Sequence, residues 1–201
     1  MDEQRKINSV LLRGVPVRPP AFSHESRGER FFTFPLEVTR LSGTKDTLNI
    51  LLRQPLMEQT EIAEAEMLTV EGEVRSFNNK SGVGSRLVIS VYAHALRFED
   101  GADENRVLLT GTICKTPKLR ETPMGREICD MMLAVNRRDG RSDYIPCIAW
   151  GLQAREAALW DTGERIALVG RLQSRRYIKL AEGVQTEKTA FEVSVTEAGR
   201  V

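Results

Sequence analysis

The chain repeats itself. Asn8, Val10, Leu11, Leu12, Gly14 and Pro20 recur as Asn105, Val107, Leu108, Leu109, Gly111 and Pro117, about 97 positions later. The same offset carries Gly28 to Gly125, Leu36 to Leu133, Val38 to Val135, Arg40 to Arg137, Gly43 to Gly140 and Asp46 to Asp143. With one added residue, Gly72 and Ser76 recur as Gly170 and Ser174. A separation held over most of the length means two copies of one fold, since each copy must bury the same face. The copies then act as mutual controls. What both keep is expected to be structural, and what one lacks is a candidate for function. The expected organisation is a first domain over 1–98, an acidic linker over 99–104 and a second domain over 105–201, which suits a chain of 201 residues.

Each copy reads as β-rich. In the second, Val107 to Gly111 is an apolar run ended by glycine. From Ile128 to Val135, Cys129, Met131, Leu133 and Val135 alternate with Asp130, Met132 and Ala134, the period of a half-buried strand. Tyr144 to Trp150, Arg165 to Tyr177 and Ala190 to Thr196 complete five strands, with an alanine-rich helix over Leu152 to Trp160 between the third and fourth. The first copy follows the same plan: strands over 10–14, 31–40, 47–52, 67–77 and 86–97, and a helix over 56–66. Three strands, one helix and two strands predict an all-β fold. Two tandem five-stranded barrels of the oligonucleotide/oligosaccharide-binding (OB) type fit that order. A small sandwich with an inserted helix is the alternative.

Parity on the third strand of copy two separates two surfaces. Ile145, Cys147 and Ala149 suit a tight barrel interior, which turns Tyr144 and Trp150 outward, roughly 20 Å apart at about 3.3 Å per residue. On the fourth strand, Leu168, Gly170 and Leu172 point in, so Arg175 and Tyr177 join the outer surface. Aromatic rings there offer stacking partners to bases, and arginines offer countercharge to phosphates. The alternative is that such rings are covered by neighbours or by a subunit contact. Trp160 reads as a core or barrel-end residue packed near Leu152 and Leu159. Cys114, Cys129 and Cys147 match no zinc spacing and read as small core residues.

Charge is mild and uneven. Residues 1–100 hold 13 basic against 14 acidic side chains, and residues 105–201 hold 16 against 12. The only histidines, His24 and His94, carry no nucleophile–base or metal spacing, which argues against an enzyme; no cofactor or metal is expected. The Ser81–Ser85 stretch lacks the lysine of a phosphate loop and reads as a hairpin tip. With no signal-peptide core and no apolar run of membrane length, the expectation is a cytoplasmic, nucleoid-associated protein without a membrane partner.

Copy two resembles the bacterial single-stranded-DNA-binding protein family. The matching runs are Asn105-Arg106-Val107-Leu108-Leu109-Thr110-Gly111, Pro117-Lys118-Leu119-Arg120, Leu133-Ala134-Val135-Asn136-Arg137-Arg138, Cys147-Ile148-Ala149-Trp150-Gly151 and Val169 to Arg175. The resemblance implies stacking by Tyr144, Trp150 and Tyr177 and phosphate contacts from Arg120, Arg137, Arg138 and Arg175. It also implies work in replication, recombination and repair without catalysis. Members with two barrels per chain form homodimers that present four barrels, the pattern expected here. Family members usually end in an acidic tail that recruits repair proteins. Thr196 to Val201 follow the last strand directly, so tail-dependent recruitment is not expected. In copy one the stacking positions fall on Thr47, Arg53 and about Asn79, while Phe31, Phe32 and Phe34 lie on a strand where at least two should fill the core. Copy one is therefore expected to serve assembly. A protein-interaction scaffold of primosome or mobile-element DNA-transfer type, with weak nucleic-acid binding, is the alternative.

Overall fold

The computed structural model describes residues 7–62, 66–79, 86–181 and 183–201, with the side chains of Lys179 and Ala181 left out. The proposed tip at Ser81–Ser85 and residues 63–65 of the expected first helix lie outside the described residues.

The strands are β1 (Asn8–Pro16), β2 (Ala21–Ser26), β3 (Glu29–Thr39), β4 (Lys45–Arg53), β5 (Leu68–Asn78) and β6 (Leu87–Phe98), with helix α1 (Gln54–Gln59) between β4 and β5. They continue as β7 (Glu104–Glu121), β8 (Glu127–Asn136), β9 (Ser142–Trp150), helix α2 (Gly151–Ala157), β10 (Arg165–Ala181) and β11 (Val184–Arg200). In the first set β1 pairs with β5 and β3, β3 with β4, and β4 with β6 in parallel, while β5 neighbours β6. In the second, β7 pairs with β10 and β8, β8 with β9, β9 with β11 in parallel, and β11 with β10. Each set closes on itself with the same connectivity. These are two OB barrels of five strand positions each, with β1 and β2 together standing where β7 does, and each helix lies between the third and fourth positions.

The chain divides into two compact units. One holds residues 9–75 and 90–106; the other holds 107–201 with the described parts of 1–8 and 76–89. In the first unit the acidic stretch is tied down: Arg13 donates to the Ala102 carbonyl at 3.3 Å and pairs with Glu99 and Glu104, and the Thr39 amide donates to Asp103.

Alternation builds each core. On β4, Asp46, Leu48, Ile50 and Leu52 are buried; on β9, Asp143, Ile145, Cys147 and Ala149 are. Burial pushes the Cys147 thiol far up and that of Cys129 up to about 11, so both behave as apolar filling. Four of the repeated glycines mark strand crossings. A Cβ on Gly14 would lie 2.2 Å from the Glu37 carbonyl oxygen, and on its counterpart Gly111 2.9 Å from that of Ala134. Gly72 and Gly170 would meet the Tyr92 and Ser194 carbonyls at 2.2 and 2.3 Å. Register agrees: Gly72 stands opposite Val10 as Gly170 does opposite Val107.

Several elements differ from expectation. Gly111 does not end its strand, because it is a crossing point inside an 18-residue β7 that bulges twice, before and after Lys115. In copy one the matching stretch breaks at Pro19-Pro20, and the far part becomes the separate β2, a strand the sequence reading lacked. Helix α2 stops at Ala157, and Leu152 and Leu159 are exposed rather than packed by Trp160. The turn continues with i→i+3 bonds from Leu159 to Glu156 and Trp160 to Ala157, and that tighter winding puts Ala154, Ala157 and Trp160 on the buried side. Of the three phenylalanines on β3, only Phe34 is fully buried; Phe31 and Phe32 are half-buried. No helix among the described residues is long and apolar enough to cross a membrane.

The crossings give a stability prediction with an internal control. Gly170→Ala forces β10 and β11 apart and should cost about 1–3 kcal/mol or more, read as a lower denaturant midpoint. Gly199→Ala, whose Cβ would meet nothing within 4 Å, should leave the midpoint nearly unchanged.

Candidate nucleic-acid interface

Directly opposed residues in a sheet share a face, so the register of β7–β11 assembles one outer surface. On β9, Tyr144 and Trp150 are 50% and 36% exposed, while Ile145, Cys147 and Ala149 lie inside. Trp150 stands opposite Ile128 of β8, Ile148 opposite Asp130, and Tyr144 opposite Ala134. Continuing outward, Asp130 faces Lys118 of β7 and Ile128 faces Arg120. On the other side Ile148 lies beside Ser194 of β11, which pairs with Arg171 of β10. Farther along, Glu192 faces Gln173, Ala190 faces Arg175 and Lys188 faces Tyr177. The structure thus brings Tyr144, Trp150, Arg175, Tyr177 and Arg120 onto one face.

The polar groups on this face are organised before any ligand arrives. Trp150 Nε1 donates to Ser194 Oγ at 3.1 Å, which fixes the plane of the indole. Arg175 holds its guanidinium 5.7 Å from the centroid of the Tyr177 ring and reaches Glu192 Oε1 at 3.4 Å. Glu192 is buried, and Gln173 Nε2 also donates to it at 3.1 Å. A carboxylate set among these cations is thus screened from the open face by its own donors. Arg120 is paired bidentately with Asp130, whose hydrogen bond raises the arginine's pKa.

The other two arginines sit elsewhere. Arg138 is exposed in the turn between β8 and β9. Arg137 is committed inward: Nε donates to Asp143 Oδ2 at 2.7 Å, and its terminal nitrogen reaches Asp143 Oδ1 and, at 3.2 Å, the Ser76 carbonyl of the same unit. Asp143 is fully buried and also accepts the Ser76 amide at 2.6 Å, while Ser76 Oγ accepts the Tyr144 amide at 2.7 Å. This cradle fixes the backbone that carries Tyr144. Copy one repeats the pair: Arg40 holds the fully buried Asp46 at 2.6 and 2.7 Å. The repeat of Arg40–Asp46 as Arg137–Asp143 was the sequence signal for this structural role.

Sequence reasoning missed Lys118 of β7, Lys188 and Ser194 of β11, and the buried Glu192. The first lies beyond the glycine taken as a strand end, and the others lie on a strand whose partners only the register reveals.

Known proteins resemble this chain in sequence and in fold. The model of the Single-strand binding protein family matches residues 104–200. A "Single-stranded DNA-binding protein" of Clostridium tetani is 39% identical over 105 residues, covering 47% of this chain and 72% of that protein. "Single-stranded DNA-binding protein A" of Bacillus subtilis is 39% identical over 80 residues, or 36% of this chain and 46% of that one, so the chain spans about half of that relative. The crystal structure of the wild-type single-stranded DNA binding protein from Thermus aquaticus superposes with a TM-score of 0.79. It covers 98% of this chain and 94% of that one at 22% identity, a likeness of fold across both barrels.

Removing the cradle's anion strands Arg137 and the Ser76 amide. Asp143→Ala should therefore lower unfolding stability by about 3–5 kcal/mol, measured by chemical denaturation.

Proposed function

Since the chain belongs to the single-strand binding protein family, we propose that it binds single-stranded DNA with little sequence preference and acts by binding rather than by turnover. The observation that carries this reading is three aromatic side chains, Tyr144, Trp150 and Tyr177, turned to one face of a barrel with Arg175 and Arg120 among them. A flat ring stacks on any exposed base, and duplex DNA offers none, because its base faces are already stacked. The family's relatives carry the name of that activity. In this reading Arg175, Arg120 and Arg138 meet phosphates, and Arg137 holds the strand that presents Tyr144. The chain works in replication, recombination or repair, as a homodimer that brings four barrels to one strand.

The test is quenching of tryptophan fluorescence by oligo-dT at low salt. Trp150→Ala and Tyr177→Ala should each weaken binding by about 1–3 kcal/mol. Binding should also fall steeply with added salt as phosphate contacts release counterions. Equal affinity for duplex DNA would sink the proposal.

A further inference from the structure

The two barrels can be compared face to face as well as position by position. In copy two, Trp150 on β9 hydrogen-bonds Ser194 on β11. The matching strand positions in copy one are Arg53 on β4 and Tyr92 on β6, because Tyr92 lies beside Leu51 as Ser194 lies beside Ile148. There the bond runs the same way between the strands, but the ring is on the accepting side: Arg53 Nε donates to the Tyr92 hydroxyl. The ring has moved one strand over while its polar partner has taken the vacated place.

The relocated ring does not stand alone. Arg53 faces Phe31 of β3, and Phe31 faces His24 of β2. The Phe31 and Tyr92 centroids are 6.5 Å apart. His24 stacks on Phe31 at 4.8 Å with the planes 6° apart, and His94 meets Tyr92 edge-on at 5.0 Å. Two guanidiniums approach the Tyr92 ring, Arg53 at 5.8 Å and Arg75 at 5.7 Å. His24, Arg53 and His94 are exposed; Phe31 and Tyr92 are half-buried. All six lie in the unit of residues 9–75 and 90–106.

A core has no use for two arginines on an outer sheet face, and a merely solvated face has no use for four contiguous rings. We propose that this cluster is a second site for single-stranded nucleic acid, with bases stacking on the His24, Phe31 and Tyr92 rings and phosphates meeting Arg53 and Arg75. The inference rests on the binding activity proposed above and extends it to copy one. Two carboxylates temper the site. Glu29 pairs with Arg53 at 3.3 Å, and Glu73 pairs with Arg75 and reaches His94 at 3.4 Å. Phosphates therefore compete with Glu29 for Arg53 and with Glu73 for Arg75, and the contacts weaken as salt is added.

Both tryptophans, Trp150 and Trp160, lie in copy two, so their fluorescence reports that barrel's site separately. The experiment uses the full chain with oligo-dT carrying photoreactive iodouracil, and adducts are mapped by mass spectrometry. Adducts at Phe31 or Tyr92, beside those in copy two, are the expected result. Phe31→Leu with Tyr92→Leu should weaken binding of an oligonucleotide long enough for two barrels by about tenfold. It should leave unchanged the quenching by one of roughly 8 nucleotides, within the range of a single OB barrel. Glu73→Gln should tighten binding of the longer strand several-fold at low salt, whereas a packing role would leave it unchanged or lower it. Adducts confined to 107–201 would overturn the second site and leave the cluster to a protein partner. So would unchanged affinity for the longer strand in a double variant with native circular dichroism. If that variant does not fold, the adduct map of the unsubstituted chain decides. Absence of any tryptophan quenching would instead overturn the parent proposal.

Discussion

Everything in these barrels depends on strands being able to cross closer than a side chain permits. A five-stranded sheet closes on itself only if its strands bend and stack at their crossings, and Gly14, Gly72, Gly111 and Gly170 are where they do so. Closure fixes the inner surface, which on β9 is filled by Ile145, Cys147 and Ala149. It thereby fixes the outer surface too. Once β9 must turn those three inward, Tyr144 and Trp150 have nowhere to go but out. The aromatic outer face is thus a consequence of barrel geometry rather than a separate invention.

That dependence explains what was legible in the sequence. Parity on β9 and β10 is local, and it identified the outward rings correctly. The order of strands and helix is also local, and it pointed to the barrel. What could not be read locally was pairing. Gly111 looked like a strand end because nothing in the sequence distinguishes a glycine that stops a strand from one that lets another pass. Residues 21–26 gave no alternating apolar signal, since the whole of β2 is exposed and is held by its hydrogen bonds to β3. Leu152 and Leu159 suggested a buried helical stripe of α-helical period, but the tighter turn after Ala157 selected Ala154, Ala157 and Trp160 instead.

The repeat was most informative about arginines. Arg40 and Arg137 each hold a fully buried aspartate at the end of a barrel's third strand. Burying that carboxylate is tolerable only with a bidentate partner, so the pair is retained or lost as a unit. Arg137 is conspicuous in a basic run that looks made for phosphates, and only its twin in copy one reveals the prior commitment. Arg138, next to it, has Leu41 as its counterpart and stays exposed, free of any such duty in the repeat.

The same comparison misleads when it is confined to equivalent positions. Thr47, Arg53 and Asn79 replace three rings, which suggests a barrel that has lost its binding face. A strand of nucleic acid, however, meets a surface and not an alignment. On an antiparallel or parallel neighbour the next strand's side chain lies about 5 Å away, within the reach of one base. Moving the ring to the neighbouring strand while its hydrogen-bonding partner takes the other place leaves a ring and a polar group side by side on the face, as Tyr92 and Arg53 are relative to Trp150 and Ser194. Such exchange across a strand pair keeps a ring and its hydrogen-bonding partner on the face while erasing the pattern from the aligned sequence. The unit of comparison between the two barrels is therefore the hydrogen-bonded pair on the outer face, in whichever order its members stand.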